Sequence, residues 1–210
     1  MVRSNEGRPG GREAVPSQKV PSEEVVKVPY REDKLAELIL YIARRTAGDR
    51  SAGATKLNKY LYFADFAAVR RLGRPITGTE YQKLRFGPAP RRLAPVRDRL
   101  IRDNDAQLHA RIDALGYVHH TLVAQREPHT EIFSAEELRL VDEVIDALRE
   151  MSAAEVSDLS HREAGWQLVE EGETIPYELA FVIAPSEVEL TPAIRAEGER
   201  VLREYGDRLA

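Results

Sequence analysis

The residues between Thr55 and Leu72 constrain the fold most. Their centre, Tyr60-Leu61-Tyr62-Phe63-Ala64-Asp65-Phe66, is apolar on nearly every side of a helix. A surface helix shows one apolar stripe, and a helix apolar all round is buried. The pattern predicts a helix from near Thr55 to just before Gly73, placed at the centre of the core, with Leu61 and Phe63 inside it.

Other segments supply what surrounds such a helix. Leu35, Leu38, Ile39, Ile42 and Ala43 follow the i, i+3, i+4, i+7, i+8 spacing of an amphipathic helix. Glu32 and Asp33 at its start and Arg44 and Arg45 at its end suit the helix dipole, and Gly48 is a stop signal. Gly73 through Gly78 reads as a turn leading to an extended piece from Tyr81 to Phe86. Gly87-Pro88-Ala89-Pro90 is a stiff corner, because each proline fixes its own φ and restricts the residue before it. Pro90 suits the first turn of a helix running to about Arg102. On that helix Leu93, Val96 and Leu100 share one face, and Arg91, Arg92, Arg99 and Arg102 fall on the opposite side. Residues 107–125 read as a β-hairpin or short strands around Gly116, with Val118, His120 and Leu122 on one face. Ser134 with Glu137 and Ser152 with Glu155 are capping boxes. The first opens a helix with Leu138, Val141, Val144, Ile145 and Leu148 inward, and the second a helix through Val156 and Leu159. Gly165-Trp166 ends or bends that helix, Gly172 to Pro176 is a turn, and a last helix begins at Thr191-Pro192. The expectation is an α+β fold: a mainly helical single domain over residues 30–210 with a small antiparallel β-sheet or hairpin. Residues 1–29 contain four prolines and no apolar period, which predicts a flexible N-terminal tail.

Composition removes several function classes. The 210 residues include no cysteine, which excludes disulfide scaffolds, thiolate metal sites and thiol nucleophiles. No apolar run reaches the roughly 18 residues of a membrane span, and the N-terminus has no apolar leader, so a cytoplasmic protein is expected. The net charge of -4 conceals an asymmetry: residues 131–210 carry 20 acids against 7 bases, and residues 1–130 carry 15 against 24. A basic front half and an acidic back half fit an acidic partner, a nucleic acid or head-to-tail self-association.

The chemistry available is thin. Ser160 and His161 are adjacent, but helical neighbours point about 100° apart, and no G-x-S-x-G elbow is present. His119 and His120 fall on opposite faces of a strand, and no H-E-x-x-H occurs, so His109, His119, His120 and His129 read as surface residues and no metal is expected. The glycines from Gly7 to Gly11 are not followed by the Lys-Ser/Thr of a phosphate loop, and no cofactor is expected. The interaction feature is the Gly87-Pro88 corner with Arg91, Arg92, Arg99 and Arg102, able to meet an acidic protein surface or phosphates. The acidic Glu170, Glu171 and Glu173 are the alternative, meeting a basic partner.

Several of these pieces, in this order, resemble one family. Lys56-Leu57-Asn58-Lys59-Tyr60-Leu61-Tyr62-Phe63-Ala64-Asp65 resembles its opening K-L-x-K-L-L-Y-F signature. Gly73-Arg74-Pro75-Ile76-Thr77-Gly78 and Tyr81 are similar to its G-x-P-I/L segment, and Phe86-Gly87-Pro88-Ala89-Pro90 to its aromatic-G-P-V block, with Ala89 where valine is usual. Leu159-Ser160-His161 with Trp166, followed by Ile175-Pro176-Tyr177, is similar to its S-H…W tail. This is the SocA-like antitoxin family, or Panacea domain, found in phage-associated, GepA-like proteins, and the resemblance spans roughly Leu35 to Tyr177. It implies a non-enzymatic antitoxin that binds and neutralises a cognate protein toxin, in at least one type by handing it to a protease. It implies structural roles for Lys56, Leu57, Tyr60, Leu61, Tyr62, Phe63, Ser160, His161 and Trp166, and no catalytic residue. The alternatives are a DNA-binding or regulatory protein using the arginine face, and a small hydrolase around His161.

Overall fold

The computed structural model describes residues 28–49, 51–112 and 118–184. The central helix is α2, Ala54–Leu72, which ends on Gly73 in the left-handed conformation at φ 73°. Tyr60, Leu61, Tyr62, Ala64 and Phe66 are buried, as its pattern requires, while Phe63 is half-buried and packs at the edge of the core rather than inside it. Helix α1, Glu32–Arg45, buries its whole expected stripe. The Thr46 hydroxyl donates back to the Ile42 carbonyl at 2.8 Å and closes the last turn.

Among the described residues, two small antiparallel sheets complete the α+β fold. Strand β1 (Tyr81–Gln82) lies between β2 (Ala89–Pro90) and β5 (Thr174–Ile175), with Tyr81 opposite both Pro90 and Ile175. Pro90 therefore belongs to an edge strand, where its missing N–H costs no ladder bond. Helix α3 begins later than expected, at Leu93, and runs to Arg102 with Leu93, Val96 and Leu100 buried. The segment read as a turn at Gly172–Pro176 contains strand β5. Strands β3 (Ala106–Ile112) and β4 (Val118–Ala124) form the expected hairpin, and its turn around Gly116 lies outside the described residues.

Both capping boxes form: Ser134 opens α4 (Ala135–Leu148), and Ser152 opens α5 (Ala153–His161). The buried stripe of α4 is offset from the expected one. Leu140 joins Val141, Ile145 and Leu148 inside, whereas Leu138 and Val144 are half-buried. After α5 the chain restarts as the single turn α6, Ala164–Gln167. Of the predicted tail, residues 1–27 lie outside the described set, as does the predicted helix from Thr191. Pro29 is described, and its carbonyl lies 2.5 Å from where a Cβ on Gly78 would sit, so only glycine fits that turn.

Charges inside the core fix the helices to one another. The Lys34 ammonium donates to both carboxylate oxygens of Glu137, at 2.8 and 2.7 Å, tying α1 to the start of α4. Lys56 is wholly buried and donates to Asp49, Ser51 and the Arg149 carbonyl, using all three of its N–H groups. Asp65 accepts from the Ile76 and Thr77 amides, the Thr77 hydroxyl and the Tyr81 hydroxyl. Burial pushes the Asp65 carboxyl up and these donors pull it back. Around it Tyr62, Phe66, Tyr81 and Tyr177 form an aromatic cluster with ring centroids 4.3 to 6.1 Å apart. The result is a rigid platform beneath β1 and the turn that follows it.

Candidate partner-binding surface

That turn, residues 83–88, joins β1 to β2 and is held by its carbonyl groups. The Trp166 indole N–H donates to the Leu84 carbonyl at 3.2 Å, the Ser157 hydroxyl to the Phe86 carbonyl at 2.8 Å, and the Lys59 ammonium to the Pro88 carbonyl at 3.0 Å. The donors come from α6, α5 and α2. With the main chain turned inward, the side chains of Leu84 and Phe86 face outward, 38% and 67% exposed.

Gly87 makes this clamp possible. Its φ is +93°, and a Cβ there would stand 2.7 Å from Lys59 Nζ and collide with Ser160 Oγ. Only glycine accepts both the left-handed backbone and the close approach of two side chains. Lys59 is 2% exposed, and burial lowers its pKa to about 8. Ser160 is fully buried and gives its hydroxyl proton to the Ser157 carbonyl at 2.7 Å.

His161 stacks on Trp166 at 4.0 Å between ring centroids and 22° between planes. Burial, followed by the positive charge of Lys59, lowers the imidazole pKa below its usual value. Its Nε2 is buried with no hydrogen-bond partner among the described residues. The Lys83 ammonium lies over the other aromatic element, 4.3 Å from the Trp166 ring, and the Arg85 guanidinium lies 5.6 Å from the Phe86 ring. Leu168, just after α6, is 49% exposed. Together these residues form an exposed apolar and aromatic surface with two cations laid on it.

The family-motif residues thus have definite places. Lys56, Tyr60, Leu61 and Tyr62 are core, and Leu57 and Phe63 line its edge. Ser160, His161 and Trp166 support the 83–88 turn. The other predicted site residues do not form one array. Gly87 and Pro88 are buried, so the outward groups of the corner are the side chains before it. Arg91 donates to the Gln82 side chain at 3.0 Å and the Gly172 carbonyl at 2.6 Å. Arg92 lies 6.0 Å from the Tyr30 ring, and Arg99 pairs with Glu32 at 3.2 Å, both toward the start of α1. Arg102 is exposed at the end of α3. Leu84 and Arg85 did not stand out in the sequence, and Phe86 did so only as the aromatic of the aromatic-G-P-V block. The available signal was two large apolar residues flanking a cation immediately before a Gly-Pro corner.

The model of the antitoxin SocA-like family, Panacea domain, matches residues 57–167, just over half of the chain, and the chain belongs to that family. The match takes in most of α2, the clamped turn, both capping boxes and α6, and falls inside the wider span of resemblance. Searches of the curated proteins and of the solved structures return no match. Among the described residues no helix is long and apolar enough to cross a membrane.

Proposed function

We propose that this protein is the antitoxin of a toxin–antitoxin pair, acting by binding a protein toxin and not by catalysis. The clamped turn carries the reading. Three side chains from three helices hold the carbonyls of residues 84, 86 and 88, so Leu84 and Phe86 are presented rigidly, and little entropy is lost when a partner covers them. Aromatic anchors of this kind dominate binding energy in protein interfaces. The bonding of Ser160 supports a non-catalytic role, because its hydroxyl is buried and committed to Ser157. In this reading the partners meet in the cytoplasm and the toxin is held directly.

The test is neutralisation in cells. A toxic product of a neighbouring reading frame is expressed with the wild-type protein or with Phe86→Asp. Phe86 is 67% exposed, so the variant is expected to keep the wild-type melting temperature while losing neutralisation. Intact neutralisation by Phe86→Asp refutes the surface. Toxin levels separate the two modes: a toxin that persists in a complex is held directly, and one that disappears only in protease-competent cells has been delivered for degradation.

A further inference from the structure

A pocket of about 200 Å³ lies between the root of the β3–β4 hairpin and the helices α1, α2 and α3. Protein interiors leave few voids larger than a water molecule, so a space of this size has a cause in the sequence. The cause is small residues: Ala43, Ala52 and Gly53 line the pocket where longer side chains would have closed it. Ile42, Leu57, Leu93 and Leu122 supply apolar walls, together with the Tyr60 ring. The exposed lining residues Ala54, Leu108 and His120 mark its mouth. The polar groups around it are already committed. The Thr46 hydroxyl donates to the Ile42 carbonyl at 2.8 Å, and the Thr121 hydroxyl to the Ala52 carbonyl at 2.6 Å. The Gly53 carbonyl accepts from the Leu57 amide at 2.9 Å. Arg97 is bonded through Nε and Nη2 to Asp98, whose charge offsets its own. The Tyr60 hydroxyl has no hydrogen-bond partner among the described residues, but it is itself buried, so a molecule in the pocket meets the ring. Water inside such a pocket finds few partners, and an apolar molecule gives up little by entering.

We propose that this pocket binds a small neutral aromatic molecule of one or two fused rings. Volume sets the size. An apolar cavity of about 150 Å³ admits benzene, so about 200 Å³ admits a bicyclic ring such as indole or naphthalene, and four fused rings are too large. The committed polar groups set the chemistry, because neither a carboxylate nor an ammonium finds an unpaired counter-charge on these walls. A flat ring also packs against the Tyr60 ring. Bound there, it touches α1, α2, α3 and the hairpin together and pins the hairpin root to the body. The pocket shares no lining residue with the turn that carries Leu84 and Phe86, and the proposal does not rest on the reading given to them.

The probe is 5-fluoroindole, titrated with the full chain and followed by fluorine NMR. Binding is expected to saturate with a dissociation constant below about 1 mM, which asks less of each ring atom than small ligands commonly deliver. Naphthalene is expected to displace the probe. Pyrene, with four rings, and 1-naphthoate, with a charge, are each expected to compete at least tenfold less well. In the wild-type protein, nuclear Overhauser contacts from the bound ring to the methyl groups of Ile42, Leu93 and Leu122 are expected to locate it. Leu57→Trp, which fills the pocket, is expected to weaken binding at least tenfold, and Phe86→Asp to leave it unchanged. No saturable binding, equal competition by pyrene or 1-naphthoate, or full affinity in a folded Leu57→Trp overturns the proposal. Loss of binding in Phe86→Asp, or contacts to Leu84 and Leu168 in place of the pocket methyls, also overturns it, because the ring then sits on the clamped turn. The methyl contacts need no variant, so they decide the outcome even where Leu57→Trp fails to fold.

Discussion

Replacing Lys59 with methionine removes the charge buried beneath the Gly87–Pro88 corner and keeps the length of the side chain. Burial lowers the native pKa of Lys59 from 10.5 to about 8. The unfolded chain keeps its lysine proton up to about 10.5, so between these values the unfolded state binds more protons than the native one. Stability therefore rises with pH across that window. With these two pKa values the gain is small at pH 7 and reaches about 2 kcal/mol by pH 9.5. Lys59→Met has no such group and lacks the rise. At pH 7 the two proteins are expected to lie within about 2 kcal/mol of each other, because relief of the buried charge is offset by leaving the Pro88 carbonyl unpaired. Urea unfolding followed by circular dichroism from pH 7 to 9.5 gives both curves, and their difference removes the titrations that the two proteins share. The difference is expected to grow by about 2 kcal/mol toward high pH. Parallel curves would refute the burial argument and with it the described clamp.

Gly87→Ala is expected to cost at least about 2 kcal/mol, since it combines backbone strain at positive φ with a collision against Lys59 and Ser160; a thermal midpoint equal to wild type would contradict this. Leu61→Ala in the centre of α2 is expected to cost about 2–5 kcal/mol, and a chemical-denaturation loss below about 0.5 kcal/mol would place that helix at the surface. Trp166 is the single tryptophan, and its stacking on His161 makes its fluorescence a titration of that imidazole. Emission is expected to fall as His161 gains its proton, with a midpoint below the usual 6.5 that moves upward in Lys59→Met. The folded pKa is depressed, so the stability His161 contributes is present above pH 6.5 and lost as pH falls below it. A midpoint at or above 6.5 would remove both causes assigned to the shift.

Local rules carry much of this fold, and the exceptions share a cause. The α1 stripe and both capping boxes depend on residues within two turns of each other, and they form as their spacing dictates. Strand β5 has two residues, too few to display any period, and it exists because Tyr81 supplies a ladder from the other end of the domain. Pro90 obeys the same partner and so precedes its helix. Lys56, Lys59 and Asp65 interrupt an apolar helix, and a charge enclosed in a core needs partners. That inference was open from the sequence, but the partners Asp49, Pro88 and Thr77 were not. The candidate surface depends on the same long-range pairing. Phe86 faces solvent because Ser157 holds its carbonyl, a contact between positions 71 apart. The arginines show the reverse: a shared side in an idealised helix does not keep Arg91 and Arg99 together when Gly172 and Glu32 draw them apart.

The two-residue ladders around Tyr81 have a consequence for synthesis on the ribosome. One edge of β1 is completed by residues 174–175, and the Arg70 guanidinium finds the Ala180 carbonyl 110 residues further along the chain. A growing chain that stops before Thr174 has made α2, yet leaves Tyr81 without its outer strand, the aromatic cluster without Tyr177, and Arg70 with Glu163 but without the Ala180 carbonyl. Such late-closing contacts leave apolar surface open until residues 174–180 have been made. Chains truncated at Gly172 are therefore expected to be digested rapidly by trypsin, and chains that continue through Ala184 to resist it.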